Sequence, residues 1–222
     1  MKTTKFLALI LGVIFLSCTH NRSTTKTAIE QTENLQQVDS IKDKEEIQSL
    51  IKQTLIWANS ENVIDILPML ADSQDSVYIG FDLNKHKSNL DKLRATDFFA
   101  NEFIENYNQI ILTLDKKLKN HEFDKWLVGE LPPFRFSNDV NPWCACQDVP
   151  YDNPSPWNYV KIEVIELSND KAQLIWKWGS PDPNMDSGWE DFIYKFRAVK
   201  ENGKWKIAYL QGFDFEESIL KD

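Results

Sequence analysis

Cys144 and Cys146 are the side chains whose type and spacing most suggest chemistry. A bridge across one intervening residue closes a small, strained ring, and strained disulfides are more oxidising, so one interpretation is a redox site. A second is a metal site, in which His86, His121 or Asp148 would supply the remaining ligands. Structural zinc sites space their cysteines by two to four residues, so this spacing favours a third interpretation, a disulfide or two buried thiols with a structural role.

The segment Asp182–Gly188 carries oxygen ligands at alternate positions, as calcium-binding loops do. The pattern then departs from such a loop. Ser187 stands where the invariant glycine belongs, and Ile193 stands where the bidentate glutamate should be. These two departures predict a polar loop between strands and no metal site.

Aromatic side chains lie near carboxylates and an amide in a proline-rich stretch from Leu131 to Trp157. Aromatic faces beside carboxylates could hold a sugar or a peptide, and long ordered loops are often functional. The alternative is that these rings only pin the loop to the domain. The residues that would bind such a ligand are Trp143, Asp148, Tyr151 and Trp157.

The motifs of several enzyme classes are missing from the sequence. It contains seven glycines but neither a G-x-G-x-x-G nor a Walker pattern, so we expect no nucleotide cofactor. It also lacks a G-x-S-x-G elbow. We therefore predict no catalytic constellation and no cofactor, and lean toward a protein that is not an enzyme.

The N-terminus carries two lysines, an apolar run from Phe6 to Leu16 that is too short to span a bilayer, and then Ser17 and Cys18. Ile14–Cys18 resembles the lipobox of bacterial lipoproteins, with Phe15 where leucine is usual. The resemblance implies a signal peptide over residues 1–17, a lipid on Cys18 and a periplasm-facing position in the cell envelope, in either membrane. The alternative is an ordinary secretory signal, although the cleavage region has no alanine.

The net charge and the composition of the chain limit the kinds of partner it could bind and its number of domains. A formal net charge of −9 disfavours nucleic acid and anionic lipid as partners, because both attract lysine and arginine. Residues 18–40 are polar and lack aromatic residues, which predicts a flexible tether. Residues 41–222 have the size of a single domain.

Three stretches have the pattern of helices. The spacing Ser40 to Asp43 is that of a capping box, and an apolar stripe then predicts an amphipathic helix over roughly residues 41–59. Residues 63–70 favour a short helix that ends or bends at Pro68. Thr96 is expected to cap a long third helix. The stripe of that third helix comprises Phe99, Phe103, Tyr107, Ile110, Ile111, Leu114 and Leu118.

Four stretches alternate between apolar and polar residues, as half-buried strands do. They lie near residues 160–164, 172–178, 192–197 and 205–209, and Asn202-Gly203 is a two-residue hairpin signal. The predicted fold is α+β, with three N-terminal helices packed on a curved antiparallel sheet of about four strands.

The hairpin Val199–Ile207, the Phe98-Phe99 helix, Pro132-Pro133-Phe134 and the segment Asn141–Asp148 appear in an order that resembles the nuclear transport factor 2-like superfamily, and within it bacterial lipoproteins of unknown function. The resemblance implies a cone-shaped fold with a pocket. It does not imply one activity, because this fold hosts ketosteroid isomerase, scytalone dehydratase and many binding modules. Tyr107, Tyr194 and Tyr209 fall on apolar faces and no acid clearly joins them, so the isomerase residues have no counterparts.

Together these observations predict a lipid-anchored envelope module that binds a small ligand or an envelope protein. The alternative functions are an enzyme that acts inside the cone, or a thiol-redox protein that uses Cys144 and Cys146.

Overall fold

The structure, a computed structural model, describes residues 22–74, 76–180 and 187–222. The chain divides into two compact units, residues 1–39 and residues 40–222. The elements are α1 (Arg22–Ala58), β1 (Met69–Asp72), β2 (Val77–Phe81), α2 (Leu83–Thr96), α3 (Asn101–Lys119), β3 (Lys161–Leu167), β4 (Lys171–Lys177), β5 (Tyr194–Glu201), β6 (Lys204–Leu210) and α4 (Phe215–Ser218).

The apolar stripe predicted for the first helix is buried, including Ile47, Ile51 and Leu55. The predicted start of that helix is wrong, because α1 begins at Arg22 and continues through Ser40. Residues 22–40 contain neither proline nor glycine, so nothing in them ends the helix. Asp43, expected in a capping box, instead accepts hydrogen bonds from Lys200 and Trp205 of the sheet.

The predicted helix at residues 63–70 is also wrong. Residues 63–68 form no helix, and β1 begins at Met69, directly after Pro68. β1 pairs with β2 as an antiparallel hairpin that the sequence pattern did not indicate. The hairpin is only a few residues per strand, and its β1 strand has no clear alternation of buried and exposed residues.

Helix α2 was missed because polar side chains occupy its inner face. Its buried residues are His86, Asn89, Leu90 and Leu93, so half of the stripe is not apolar. Asp82 caps the helix, since its Oδ1 accepts the main-chain N–H groups of Asn84 and Lys85 at 3.0 and 2.9 Å.

Thr96 does not cap the third helix as predicted; it is the last residue of α2. Its hydroxyl donates to the Leu93 carbonyl at 2.7 Å and accepts the Phe98 N–H. Asp97 then takes a left-handed conformation with φ of 61°, which ends the helix. α3 begins at Asn101, and its apolar stripe is buried from Phe103 to Leu114 as predicted.

The four-stranded sheet is antiparallel in the order β3-β4-β5-β6. Asn202 and Gly203 both have positive φ, 53° and 78°, which is the conformation that a two-residue hairpin turn requires. Residues 98–100 extend the edge of the sheet, since the Ala100 N–H donates to the Ile207 carbonyl at 2.8 Å. The side chains that alternate inward on β4 and β5 are buried, including Leu174, Trp176 and Phe196.

The α+β class with helices packed on a four-stranded antiparallel sheet is confirmed. The arrangement of helices differs from the expectation, because the β1-β2 hairpin separates α1 from α2, and α4 follows the sheet. None of the helices in the described ranges is both long and apolar enough to cross a membrane.

Candidate functional site

The inner face of the sheet is filled by aromatic rings. Trp176, Trp178, Tyr194 and Trp205 are each at most 7% exposed. The ring centroids of Trp176 and Tyr194 are 4.3 Å apart, and those of Trp176 and Trp178 are 5.0 Å apart. Burial raises the pKa of Tyr194, so its hydroxyl stays neutral. These close contacts leave no space between the rings for a ligand.

A polar cluster is buried between α2, α3 and residues 63–68. The Tyr107 hydroxyl donates to the Ile66 carbonyl at 3.0 Å, and burial raises its pKa. His86 Nε2 lies 3.0 Å from Asn108 Oδ1, while Nδ1 has no hydrogen-bond partner among the described residues. Burial lowers the pKa of His86, which is 2% exposed. This histidine is closed to substrate and holds the two helices together.

Cys144 and Cys146 are joined by a disulfide in the structure. Their exposed fractions are 3% and 8%. The Asn141 N–H donates to the Cys146 carbonyl at 2.9 Å, so the disulfide lies within a closed turn. Thiol exchange needs access to a sulfur atom, and this burial therefore favours a structural role over a redox role. The described residues contain no group of three or more side chains that could hold a metal ion.

The residues predicted to bind a ligand in the proline-rich stretch are not brought together. Trp143 is 4% exposed and packs on Phe213, with the ring centroids 4.7 Å apart. Trp157 is 5% exposed and packs on Trp178, in a different ring cluster. The Tyr151 hydroxyl donates to the Gly179 carbonyl at 3.1 Å, and Asp148 is exposed. Both indole rings are therefore buried against other aromatic rings and pin the loop.

Two of the predicted features lie outside the described residues. They are the signal peptide with the lipidation site at Cys18, and most of the calcium-like loop, residues 182–186. The helical residues 22–39 cover most of the predicted tether, residues 18–40.

A groove of about 680 Å³ opens between the β1-β2 hairpin and the end of α3. We call it the hairpin groove. Its aromatic wall is formed by Tyr78 and Trp126, whose ring centroids are 4.4 Å apart. The Tyr78 N–H donates to the Trp126 carbonyl at 2.9 Å, so the main chain fixes these two rings side by side. The lining residues are Asp72, Val77, Tyr78, Ile79, Leu118, Lys119, His121, Phe123, Asp124, Lys125 and Trp126.

Asp115 holds the hairpin on α3 and so positions the groove. Its Oδ1 accepts the Phe81 N–H at 2.9 Å, and its Oδ2 accepts Lys119 Nζ at 2.7 Å. Gly80 makes this approach possible, because a Cβ atom at that position would lie 2.8 Å from Asp115 Oδ1. Its φ of 153° also falls in a region that L residues rarely adopt.

A second cleft, of about 460 Å³, lies on the outer face of the sheet. We call it the sheet cleft. The Tyr209 hydroxyl donates to Asp214 Oδ2 at 3.2 Å, and burial together with the charge of Asp214 raises the Tyr209 pKa. Arg197 is paired with Glu102. The tyrosine and the arginine of this cleft are thus already bonded to protein carboxylates, whereas Ile165 and Lys195 in its walls are exposed.

Sequence reasoning missed the hairpin groove because it missed the hairpin. The aromatic residues of the groove are separated in the sequence by the whole of α2 and α3. Only Gly80, an isolated glycine in a strand-like run, signals a close backbone approach.

No protein-family model, no curated protein and no solved structure matches this chain.

Proposed function

We propose that this chain is a lipid-anchored protein of the cell envelope, attached through Cys18, and that residues 41–222 act as a binding or accessory module. The proposal includes the cone-shaped arrangement of the nuclear transport factor 2-like superfamily, with the cone closed by its own side chains. Its partner is a small ligand or an envelope protein, held at the hairpin groove.

The observation that carries the proposal is the filled inner face of the sheet. In a cone-shaped fold, that face would line an active-site pocket, and here Trp176, Trp178, Tyr194 and Trp205 occupy it. Function is then left to outer surfaces. A thiol-redox function is not favoured, because Cys144 and Cys146 are both buried.

The hairpin groove is favoured over the sheet cleft as the binding surface. Its volume of about 680 Å³ lies within the usual range for ligand sites, and its walls combine aromatic rings with a few charged side chains. Ile79 in its wall is 53% exposed, so an apolar group is available to a partner without any rearrangement. Both sites offer an exposed isoleucine and both have charged side chains that are already paired, Lys119 with Asp115 in the groove and Arg197 with Glu102 in the cleft. The groove is favoured by its larger volume and by its wall of paired aromatic rings.

Site-specific photo-crosslinking in intact membranes tests the binding surface. A photoreactive residue at Ile79 is expected to capture a partner, whereas the same residue at the exposed Asn169, in the β3-β4 turn, is not. Native mass spectrometry of the purified protein would detect a small ligand, and Tyr78→Ala should reduce either signal. Equal adducts at both positions, or neither an adduct nor a ligand, would contradict the proposal.

Membrane fractionation of a Cys18→Ala variant tests the anchor. The variant is expected to leave the mature, membrane-bound fraction. Unchanged membrane attachment and processing would contradict lipidation at Cys18. A catalytic turnover that is lost on changing residues of the sheet's inner face would overturn the assignment as a binding module.

A further inference from the structure

His86 is a buried titratable side chain that the proposed function does not use. It is 2% exposed and lies edge-on to the Tyr107 ring of α3, with the ring centroids 5.1 Å apart. Its Nε2 lies 3.0 Å from Asn108 Oδ1, and this contact requires Nε2 to carry the hydrogen. Nδ1 is then the nitrogen without a hydrogen, and it is buried with no hydrogen-bond partner among the described residues. A proton taken up at Nδ1 would therefore have no acceptor in the closed fold.

The carboxylates around His86 are already bonded to other groups. Within one helical turn of His86 on α2 and of Asn108 on α3, and in residues 63–68, the charged side chains are Asp65, Asp82, Lys85, Lys87 and Glu105. Asp65 pairs with Lys85 at 2.6 Å. Asp82 accepts the main-chain N–H groups that begin α2, and Glu105 accepts the Gln109 amide at 2.8 Å. Burial lowers the pKa of His86, and within the described residues only the hydrogen bond to Asn108 acts in the opposite direction.

Helix α2 is held on the domain largely by polar bonds. Of its four buried side chains only Leu90 and Leu93 are apolar, whereas the buried face of α3 is almost wholly apolar. Asn89 Nδ2 donates to the Asp65 carbonyl at 2.7 Å, and the ion pair of Asp65 is about half exposed. An element with few buried apolar contacts opens at a lower free energy than the rest of its domain. We therefore expect α2 to open locally.

Helix α2 and residues 63–68 also hold the base of the β1-β2 hairpin. The Asp82 N–H donates to the Pro68 carbonyl at 2.7 Å, directly beyond Met69 and Phe81, which form the first pair of the hairpin. Asp82 is at the same time the N-cap of α2. Movement of α2 is therefore transmitted to the hairpin that forms the hairpin groove.

We propose that α2 is a pH-sensitive latch. Protonation of His86 Nδ1 in a mildly acidic medium releases α2 and residues 63–68 from α3, and so loosens the base of the β1-β2 hairpin. The effect on ligand binding at the hairpin groove rests on the proposed function, whereas the opening of α2 needs no partner.

The size of the effect follows from the uptake of one proton. In the opened state the exposed ring titrates near its ordinary pKa of 6.5, while burial keeps the pKa of the closed ring lower. As the pH falls through 6.5, the opened state binds the proton before the closed state does, so the closed state loses stability. Between pH 7.5 and pH 5.5 the ratio of opened to closed chains should rise roughly tenfold.

Native-state hydrogen exchange on the purified chain measures this opening. Rates at pH 7.5 and pH 5.5 are each divided by the intrinsic exchange rate, and the main-chain N–H groups of α2 are compared with those of β5. The protection of α2 should be lower than that of β5, should not change in low urea, and should fall roughly tenfold at the lower pH. If α2 has the same protection and the same urea dependence as β5, it opens only with the whole domain and the latch is overturned.

Two substitutions identify the group that takes up the proton. His86→Gln cannot titrate and should reduce the effect of pH on α2 to less than about twofold. Asn108→Asp places a carboxylate where the amide oxygen lies 3.0 Å from Nε2, so it stabilises the charged ring in the closed fold and should also reduce the effect. Asn108 is only partly buried, so this variant keeps the test valid if His86→Gln does not fold.

His121→Gln is the matched control, because His121 is exposed and should leave the tenfold effect unchanged. A tenfold effect that persists in Asn108→Asp or in a folded His86→Gln variant would overturn His86 as the sensor.

Crosslinking from a photoreactive residue at Ile79, at both pH values, separates the latch from the proposed function. Adducts should be fewer at pH 5.5 than at pH 7.5, and Asn108→Asp should reduce the difference. No adduct at either pH, together with pH-dependent exchange of α2, would overturn the binding surface and support the latch. Equal adducts at both pH values would overturn the coupling of the latch to the groove. Exchange of α2 that does not depend on pH would overturn the latch whatever the crosslinking shows.

Discussion

Asp43 joins α1 to the β5-β6 hairpin, and its removal is expected to destabilise residues 40–222 strongly. One carboxylate oxygen, Oδ1, accepts both Lys200 Nζ at 2.7 Å and Trp205 Nε1 at 2.8 Å. Lys200 also lies over the Trp205 ring, 5.1 Å from its centroid. Since Trp205 is only 5% exposed, its indole N–H has little access to bulk water that could replace the carboxylate.

The expected loss of folding stability follows from these contacts. A buried donor left without a partner costs about 1–3 kcal/mol, and hydrogen bonds to charged groups contribute about 1.5–3 kcal/mol. The side chains of Asp43 and Lys200 are 15% and 28% exposed, which places the pair between surface and core. Asp43→Ala should therefore lower the free energy of unfolding by about 2–3 kcal/mol, and Tm by roughly 4–12 °C.

Urea unfolding followed by tryptophan fluorescence and far-UV circular dichroism measures this change. Asp91→Ala is the matched control, because its pair with Arg94 is exposed and should contribute less than about 1 kcal/mol. Asp43→Asn keeps an acceptor for Trp205 and should lose less stability than Asp43→Ala. If Asp43→Ala and Asp91→Ala have equal effects, the reasoning is refuted.

The pH dependence gives an independent check. Burial alone would raise the Asp43 pKa, but the hydrogen bonds from Lys200 and Trp205 and the Lys200 charge lower it below its ordinary value of 3.8. A group whose pKa is lower in the folded state stabilises the fold above its unfolded pKa and loses that contribution as the pH falls. The stability difference between the native chain and Asp43→Asn should hence shrink below about pH 4.

Three further changes test other parts of the structure. Gly80→Ala should lower stability by about 1–3 kcal/mol and more than Gly129→Ala in urea unfolding, because both glycines have positive φ but only Gly80 faces a crowded Asp115. His86 should make the native chain less stable at pH 5.5 than at pH 8, because burial lowers its pKa below the ordinary 6.5 and the unfolded chain therefore binds this proton more readily than the folded chain; a His86→Gln variant with a similar urea shift would contradict this. Trp143→Ala should cost about 3–5 kcal/mol in the same assay, and a loss below 1 kcal/mol would contradict its burial among other rings.

The elements that the sequence predicts well are those whose buried stripe is wholly apolar. The stripe of α3 and the alternation of β4 to β6 need only the hydrophobic period to be recognised. α2 fails this test because His86 and Asn89 are buried in it. Each is accommodated by a bond to a distant residue, His86 to Asn108 and Asn89 to the Asp65 carbonyl, and such pairings do not appear in a local pattern.

The surfaces were harder to predict than the core for a related reason. The hairpin groove depends on the hydrogen bond from the Phe81 N–H to Asp115, which joins residues 34 positions apart. No local spacing in the sequence indicates that bond. Conversely, Trp143 and Trp157 sit in an irregular, proline-rich stretch, which in sequence looks like an exposed loop. A long segment can be irregular and still lie in the core when its rings replace the periodic stripe of a helix or strand.

The burial of the tryptophans bears most directly on how this protein could bind a partner. All eight lie in the described part of the chain; six are buried, and Trp57 and Trp189 are partly buried against the core. A protein that bound its ligand by aromatic stacking inside the sheet would leave some of these rings uncovered. Most of these rings lie in the interior, and Trp126 of the groove wall is only 5% exposed. Under the proposed function, a partner would therefore contact mainly Ile79 and Tyr78 in the hairpin groove. The crosslinking contrast between Ile79 and Asn169 is accordingly a more decisive test than any substitution of a tryptophan, since the latter would mainly report unfolding.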